Sequence, residues 1–175
     1  MTSLTISEVN SLNENQFETV FGNVIEHCKG APVMIKKLRP FKNVNELCDA
    51  FQKYLDDINE EEKLAVLKSH PDLAGRLAQQ GELTPESTEE QRSAGLNDLT
   101  QEQKRIMDDR NTRYKSKFGF PFIICARENK VQSILDGLKN RYNNNYDQEV
   151  QTGINEVKKI CKLRILNIVT NEHVQ

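Results

Sequence analysis

Apolar side chains that recur every three or four residues run through most of the sequence, and this spacing constrains the fold more than any other feature. Such a spacing places the apolar side chains on one face of an α-helix. The first helix is predicted to begin with a capping box at Asn13 and Gln16, and Gly30 is predicted to end it. Its apolar stripe consists of Phe17, Val20, Phe21, Val24, Ile25 and Cys28.

The same spacing continues to the end of the sequence. A further stripe follows Asn43, and a third helix is predicted to end near His70, because a residue before proline disfavours helical backbone. Short helices are predicted over residues 72–80 and after Thr84-Pro85. The longer predicted helices are residues 100–118, 129–145 and 147–170. We therefore predict an all-α fold, as a single domain over residues 1–175 with about seven or eight helices, some of them short.

Charge and hydropathy argue against several classes of protein. The chain has 24 basic and 26 acidic residues, so it lacks the basic surplus expected of a nucleic-acid-binding protein. No apolar run approaches the roughly 20 residues that span a membrane. The first ten residues have neither a basic start nor an apolar core, so no secretory signal is expected.

Cysteine and histidine spacing predicts no metal site and no disulfide framework. The four cysteines are Cys28, Cys48, Cys125 and Cys161, and no two of them form a CxxC pair. The three histidines are His27, His70 and His173. We expect reduced thiols that are mostly buried as small apolar groups, and no metal.

Two motifs have side chains that suit acid–base chemistry. His70 precedes Pro71 at a helix end, where its ring could enter a cleft and transfer protons, or could instead bond the last helix carbonyls. Ser87 and Glu90 form a second helix-start signal nested behind Thr84. They could be a simple capping box, or the helix start could bind an anion or a carbonyl oxygen, with Glu90 beside it. The local sequence favours the structural alternative for both motifs.

Two other features concern buried polar groups. Arg164 continues the apolar stripe of the last helix, where a guanidinium needs a partner. That partner could be an internal Asp or Glu, or the carboxylate of a substrate. Residues 122–126 are the only strand-like run and are interpreted as a buried extended segment or a helix start. Their irregular backbone beside Gly119 and Pro121 could leave amides and carbonyls to bind a polar heterocycle.

Taken in order, these motifs resemble one family, the 2-oxo-4-hydroxy-4-carboxy-5-ureidoimidazoline (OHCU) decarboxylases, which complete the oxidation of urate to allantoin. The resemblance extends from Phe17 to about Val169. The matching stretches are His70-Pro-Asp-Leu-Ala-Gly75, Ser87-Thr-Glu-Glu-Gln91 with Ala94-Gly-Leu96, Asn111-x-x-Tyr114, Lys117-Phe-Gly-Phe-Pro-Phe-Ile123, and the closing helix with Arg164.

The resemblance implies an all-α homodimer that decarboxylates a small-molecule substrate without a cofactor. It implies catalytic roles for His70, Glu90 and Arg164. The residues implied to contact the substrate are Pro71, Ser87, Thr88, Glu89, Glu90, Gln91, Phe122, Ile123, Ile124, Cys125 and Ala126. It also implies a peroxisomal location, although residues 172–175, Glu-His-Val-Gln, are not a peroxisomal targeting tripeptide, which leaves the cytosol as the alternative.

Two other functions remain open from the residues themselves. Glu90 and His70 could act as a base and an acid for water, in a hydrolase of a related ureido compound. The chain could also be a non-catalytic helical interaction domain, which would present a large exposed apolar patch and no polar pocket at His70.

Overall fold

The computed structural model describes residues 3–170 of the 175-residue chain. Apart from an isolated parallel bridge between Leu4 and Val169, the regular structure of this part of the chain is helical. The α-helices are α1 Ile6–Ser11, α2 Glu14–Val20, α3 Gly30–Ile35, α4 Val44–Asp57, α5 Glu60–Lys68, α6 Arg76–Gln79, α7 Pro85–Ser93, α8 Gln101–Phe118, α9 Val131–Arg141 and α10 Tyr146–Ile168. Three 3-10 turns are Lys36–Leu38, Leu96–Asp98 and Ala126–Glu128.

These helices confirm the predicted all-α fold class. Within residues 3–170, eight of the ten α-helices correspond to the predicted seven or eight, and α1 and α3 are additional. Over residues 3–170, no helix combines the length and the apolar character needed to cross a bilayer. Helix α8 agrees with the predicted helix of residues 100–118: the Thr100–Gln103 capping box precedes it, and Gly119, with a φ of 80°, follows its last residue, Phe118.

The chain folds into two compact units. The first unit comprises the chain up to Glu62 together with the chain from Lys158 onward, and the second unit is Lys63–Val157. Helices α5 and α10 each contribute to both units. The arrangement of residues 1–175 as one domain stays a prediction.

Aromatic rings occupy the core of the first unit. The Phe21 ring lies 4.7 Å from that of Phe17 and 6.0 Å from that of Phe51, measured between centroids. All three are fully buried. Phe51 is part of α4, which begins as predicted, with the Asn43 side chain accepting from the backbone N–H of Glu46 at 2.9 Å.

The first predicted helix is shorter than expected. The capping box of Asn13 and Gln16 is present, but α2 ends at Val20 and turns follow it. The side chain of Asn23 accepts from the backbone N–H of His27, whose φ is 54°, and both features compete with a helix. The prediction that Gly30 ends this helix is therefore wrong, because Gly30 begins α3.

A second aromatic cluster forms the core of the second unit. Tyr114 contacts Phe118, Phe120 and Phe122 with centroid distances between 4.5 and 6.1 Å. Phe122 belongs to residues 121–125, which are neither helix nor strand, and Phe122, Ile123 and Cys125 are buried; the backbone of Cys125 is extended. The predicted burial of residues 122–126, the extended segment, is thus confirmed, with Ile124 half-buried, and Ala126 begins a 3-10 turn, as the alternative of a helix start implied. The extended segment is held against a helical core without any partner strand in the part of the chain that is described.

Candidate active site

His70 lies in the second unit, immediately after α5. Its backbone N–H donates to Leu67 O at 3.3 Å, and its ring Nδ1 lies 2.8 Å from Val66 O. The ring therefore bonds one of the last carbonyls of the helix, that of Val66, which is the structural alternative considered from the sequence. This contact also has a chemical consequence. A carbonyl can only accept, so Nδ1 carries a proton and the lone pair of the neutral ring lies on Nε2.

The loop that follows His70 is held by side chains from α7 and α8. Gln91 accepts from Ala74 N at 2.9 Å and donates to Asp72 O at 3.3 Å. Asn111 donates to Leu73 O at 2.9 Å, and Lys104 Nζ donates to Ala74 O at 2.7 Å. Three long side chains thus bond four backbone groups of one short loop. The loop is therefore held rigidly beside the imidazole.

Backbone geometry explains why this loop ends in glycine. Ala74 has a φ of 51°, which is costly for a residue with a Cβ. A Cβ at Gly75 would lie 2.7 Å from the Cβ of Asp72, closer than side-chain carbons approach. The predicted helix over residues 72–80 is correspondingly reduced to the single turn of α6.

Helix α7 begins at the first of the two nested start signals. Thr84 is the N-cap, its hydroxyl accepts from Ser87 N at 3.2 Å, and Pro85 occupies the first helical position. The interpretation of Ser87 as the cap is therefore wrong. From Thr88, whose N–H donates to Thr84 O at 2.9 Å, the amides are engaged in the helix. Any ligand contact by Ser87 or by Glu90 would use the side chain.

The five residues of this motif do not share one environment. Ser87 and Gln91 are buried, and Glu90 is half-buried. Thr88 and Glu89 are exposed; the Thr88 hydroxyl donates to Thr84 O, and Glu89 pairs with an arginine of the same helix. The implied substrate contacts of all five residues stay predictions.

Residues 122–126 have part of their backbone engaged within the second unit. Ile123 O accepts from Arg141 Nη1 at 2.7 Å, and Cys125 N donates to Glu156 Oε1 at 3.1 Å. Cys125 O accepts from Asn129 Nδ2 at 2.9 Å. Within residues 3–170, by contrast, the N–H groups of Ile123 and Ile124 donate to no protein acceptor. The expectation that this irregular backbone leaves amides for a ligand applies to these two groups and equally to the N–H groups of Phe122 and Ala126.

The negative charge of Glu90 acts on Cys125, within this segment. Burial, together with the negative charges of Glu128, Glu156 and Glu90, raises the pKa of the Cys125 thiol to about 11. Helix α7 also packs on the 3-10 turn Ala126–Glu128. Helix α7 therefore contacts both predicted parts of the site: Gln91 bonds the loop after His70, and Glu90 lies near the extended segment.

Arg164 lies in the first unit, and its side chain is 3% exposed. Its Nη1 donates to Glu26 Oε1 at 3.1 Å and to Asn23 O at 2.9 Å. Glu26 is itself 1% exposed and also accepts from Asn23 Nδ2 at 2.9 Å. The internal ion pair considered from the sequence is thus present. Substrate binding by Arg164 stays a prediction.

The cysteines agree with the expectation of reduced thiols that are mostly buried. All four cysteines are free thiols, and three of them are buried, whereas Cys28 is half-buried. Over residues 3–170, no group of three or more His, Cys, Asp or Glu side chains is arranged to hold a metal ion. His173 lies outside the described residues, as does the C-terminal stretch on which the targeting expectation rests.

Sequence reasoning missed the side chains that hold the site in place. A sequence pattern could have indicated Arg141, because this residue continues the apolar stripe of α9 seven residues after Ile134, as Arg164 continues that of α10. Asn111 had a weaker one, as part of the motif shared with Tyr114. No sequence pattern indicated Lys104, since its only local feature is an ordinary i,i+4 pair with Asp108.

Comparison with known proteins adds to this geometry. A model of the OHCU decarboxylase family matches residues 10–166. The chain is 40% identical to a 2-oxo-4-hydroxy-4-carboxy-5-ureidoimidazoline decarboxylase of Xenopus laevis over 169 residues, or 97% of each protein. It is also 40% identical to the enzyme of that name from Amia calva over 166 residues, or 95% of each.

A solved structure supports the fold. The crystal structure of an (S)-allantoin synthase matches with a TM-score of 0.77 at 21% sequence identity, over 95% of this chain and 54% of that one. This chain thus spans about half of that protein. Because the family model covers the motifs around His70, Glu90 and residues 122–126, and the two relatives match almost from end to end, this chain belongs to the OHCU decarboxylase family.

Proposed function

We propose that this protein decarboxylates OHCU to (S)-allantoin and CO₂, the last step of urate oxidation, without a cofactor. The observation that carries this proposal is the imidazole of His70. Its tautomer is set by Val66 O, and its loop is held by the same helix that brings Glu90 close to the extended segment. The relatives that are named as decarboxylases of this substrate support the same activity.

The substrate itself supplies the electron sink. When the bond from the ring carbon to the carboxylate breaks, its electron pair passes to the adjacent ring C=N, and CO₂ leaves. The protein then needs only to orient the carboxylate out of the ring plane, stabilise the developing charge and deliver one proton. None of these tasks requires pyridoxal, thiamine or a metal.

His70 is assigned the proton transfer. Because Nδ1 is held by Val66 O, Nε2 is the ring nitrogen that would exchange a proton with the substrate. In this proposal Nε2 bonds the 4-hydroxyl or the carboxylate of the substrate and delivers the proton to one face of the substrate ring. Delivery to one face yields (S)-allantoin rather than a racemate.

Glu90 is assigned the orientation of the substrate. Its carboxylate would accept from the ureido or hydroxyl groups and favour the protonated imidazolium of His70. Close to the leaving carboxylate, its negative charge would also favour departure as neutral CO₂. Ser87 lies one helical turn before Glu90, and its buried hydroxyl suits the same polar groups.

Binding of the substrate ring is assigned to the extended segment. The N–H groups of Ile123 and Ile124, which have no protein acceptor within residues 3–170, suit a ring carbonyl. Pro71, beside His70, offers a backbone carbonyl for a ring N–H. Arg164 is proposed to anchor an anionic oxygen of the substrate through its guanidinium while it remains paired with Glu26.

One assay separates the three candidate functions. Freshly prepared 5-hydroxyisourate is mixed with its hydrolase and this protein, and both optical activity and CO₂ release are followed. Rapid formation of (S)-allantoin with CO₂ supports the decarboxylase. Ring opening without CO₂ supports a ureido hydrolase, and an unchanged rate supports an interaction domain.

A single substitution tests the central assignment. His70→Asn is expected to remove most activity and to leave the helical circular dichroism spectrum intact. The matched control is His27→Asn, since His27 is exposed and Asn tolerates its φ of 54°. Full activity of the His70 variant would exclude the imidazole from the reaction.

Assembly and compartment belong to the proposal as well. We propose a homodimer, to be checked by sedimentation equilibrium, as the family resemblance implies. We propose a peroxisomal location, with the cytosol as the alternative. Import of the full chain into isolated peroxisomes, against retention in the supernatant, decides between the two compartments.

A further inference from the structure

Arg141 joins the core of the second unit to the extended segment. Its Nη1 donates to Ile123 O at 2.7 Å, and its guanidinium carbon lies 4.3 Å from the centroid of the Phe122 ring. One side chain thus holds two consecutive residues of the segment, one through its carbonyl and the other through its ring face. Both contacts constrain where the neighbouring N–H groups point.

The same face of α9 approaches the segment at a second point. Gly137 precedes Arg141 by four residues, one turn along the helix. A Cβ added at Gly137 would lie 3.2 Å from the ring of Phe122 and 3.6 Å from the side chain of Ile124. The close approach of α9 therefore supports three successive residues of the segment, Phe122, Ile123 and Ile124.

Buried polar groups hold the guanidinium itself in place. Arg141 Nε donates to Glu149 Oε1 at 2.9 Å, and Glu149 is fully buried. The hydroxyl of Tyr114 donates to the same oxygen, and Asn144 Nδ2 donates to Glu149 Oε2 at 2.9 Å. A carboxylate with this many donors has one orientation, so the arginine paired with it also has one.

The remaining nitrogen of Arg141 shows that this orientation has a cost. Nη2 is buried and has no hydrogen-bond partner within residues 3–170. A buried donor without an acceptor is unfavourable, and native proteins contain few of them. A side chain needed only to neutralise Glu149 could turn to satisfy more of its donors. The observed placement instead serves Ile123 O.

We infer that Arg141 is a positioning residue for the decarboxylation, because it fixes the extended segment so that the N–H groups of Ile123 and Ile124 meet the substrate ring. This inference rests on the proposed function. Arg141 itself touches no reacting atom, and it acts through the backbone that it holds.

This role predicts a particular change in the kinetics. The ring contacts are made in the ground state and in the transition state alike, so losing their alignment raises KM and changes kcat little. A variant that is merely less well folded behaves in the opposite way. It lowers the concentration of active enzyme, and hence the apparent kcat, and leaves KM unchanged.

Arg141→Lys is the main test variant, because it keeps the positive charge beside Glu149 but loses the planar fork that reaches Glu149 and Ile123 O together. We expect its KM for OHCU to rise about tenfold, which is the effect of one misplaced contact of about 1.4 kcal/mol. The affinity for (S)-allantoin, measured by titration calorimetry, is expected to fall by a similar factor.

Arg110→Lys is the matched control. Arg110 Nη1 also donates to a backbone carbonyl in the second unit, that of Leu135 at 2.8 Å, but it has no contact with the segment. Its KM is expected to stay within twofold of the wild type. An equal rise in KM for both variants would overturn the inference.

A second variant covers the risk that the lysine variant folds poorly. Arg141→Met with Glu149→Gln removes both charges, so no buried ion is left uncompensated. We expect the same rise in KM. A KM within twofold of the wild type in a folded variant of either kind overturns the inference. An inactive wild type in the same assay would instead refute the proposed function.

Discussion

Arg164 could be a structural residue, a substrate-binding residue, or both, and a double-mutant cycle with Glu26 separates these roles. The perturbation is Arg164→Met, Glu26→Gln and the double variant. Both side chains are almost fully buried, at 3% and 1% exposure, and their charged atoms are 3.1 Å apart. The amide introduced by Glu26→Gln would retain an oxygen that can accept from Asn23, so the cycle removes charge rather than every local bond.

The expected magnitude follows from the burial of this pair. Removing one partner of a buried ion pair costs about 3–5 kcal/mol, because the other charge loses its compensation. Removing both leaves no such charge, so the double variant should be less destabilised than the sum of the single variants, by at least about 2 kcal/mol. Lys53→Met is the control, since Lys53 forms an exposed i,i+4 pair with Asp57 and should lose less than about 0.5 kcal/mol.

Urea unfolding followed by circular dichroism measures the stability, and the decarboxylation assay measures the function of the same samples. If Arg164 binds substrate, the double variant stays inactive although much of its stability returns. If Arg164 is only structural, activity returns with stability. A loss below about 1 kcal/mol in Arg164→Met would refute the reasoning, because a guanidinium buried as observed cannot be so nearly neutral to stability.

Three further predictions concern the loop, its glycine and the thiols. Gln91→Met leaves one buried and one half-buried backbone group without the partner that Gln91 provides, and it should lower the free energy of unfolding in urea titrations by about 2–4 kcal/mol. A loss under about 0.5 kcal/mol would argue against the loop contacts. Gly75→Ala should lower the free energy of unfolding by about 1–3 kcal/mol, because the new Cβ would clash with the Cβ of Asp72. Gly30→Ala is the control and should be nearly neutral, since no atom lies closer than 3.8 Å to its new Cβ. Equal melting temperatures for the two variants would contradict the clash at Gly75. Burial raises the pKa of Cys48 and Cys125 to about 11 each, so with rising pH the unfolded chain releases these two protons before the folded chain does. The free energy of unfolding, measured from pH 8 to 11, should therefore fall above about pH 9. A flat profile would refute the raised pKa values.

The features that could be predicted from the sequence are those set within a few residues of each other. They depend on hydrogen bonds between residues three or four positions apart. Examples are the capping boxes at Asn13 and Thr100, the Asn43 cap and the helix end at Gly119. The errors arose where two local signals competed. Thr84 overrode Ser87 because Pro85 suits the first helical position, and the turns after Val20 overrode an apolar stripe that would have continued the helix.

Of the candidate site, the residue types could be identified and the contacts could not. The resemblance identified His70, Glu90 and Arg164 by matching motifs. It did not reveal that Gln91 bonds the loop after His70, or that Glu26 pairs with Arg164, 138 residues away in the chain. Partners separated by such distances leave no periodic pattern in a single sequence.

By itself the sequence determined the all-α fold class, most helix starts and ends, and the motifs of the family, because apolar spacing and capping act over one or two helical turns. Only the tertiary structure decided which buried charges compensate each other and which backbone amides are left for a ligand. Arg141 and Arg164 occupy equivalent positions in their apolar stripes, and each pairs with a buried glutamate and bonds one backbone carbonyl. The partners of Arg141 are Glu149 and Ile123 O, whereas those of Arg164 are Glu26 and Asn23 O. The physical reason is that the cost of burying a charge is local, whereas the group that compensates it is supplied by whichever distant element packs against it.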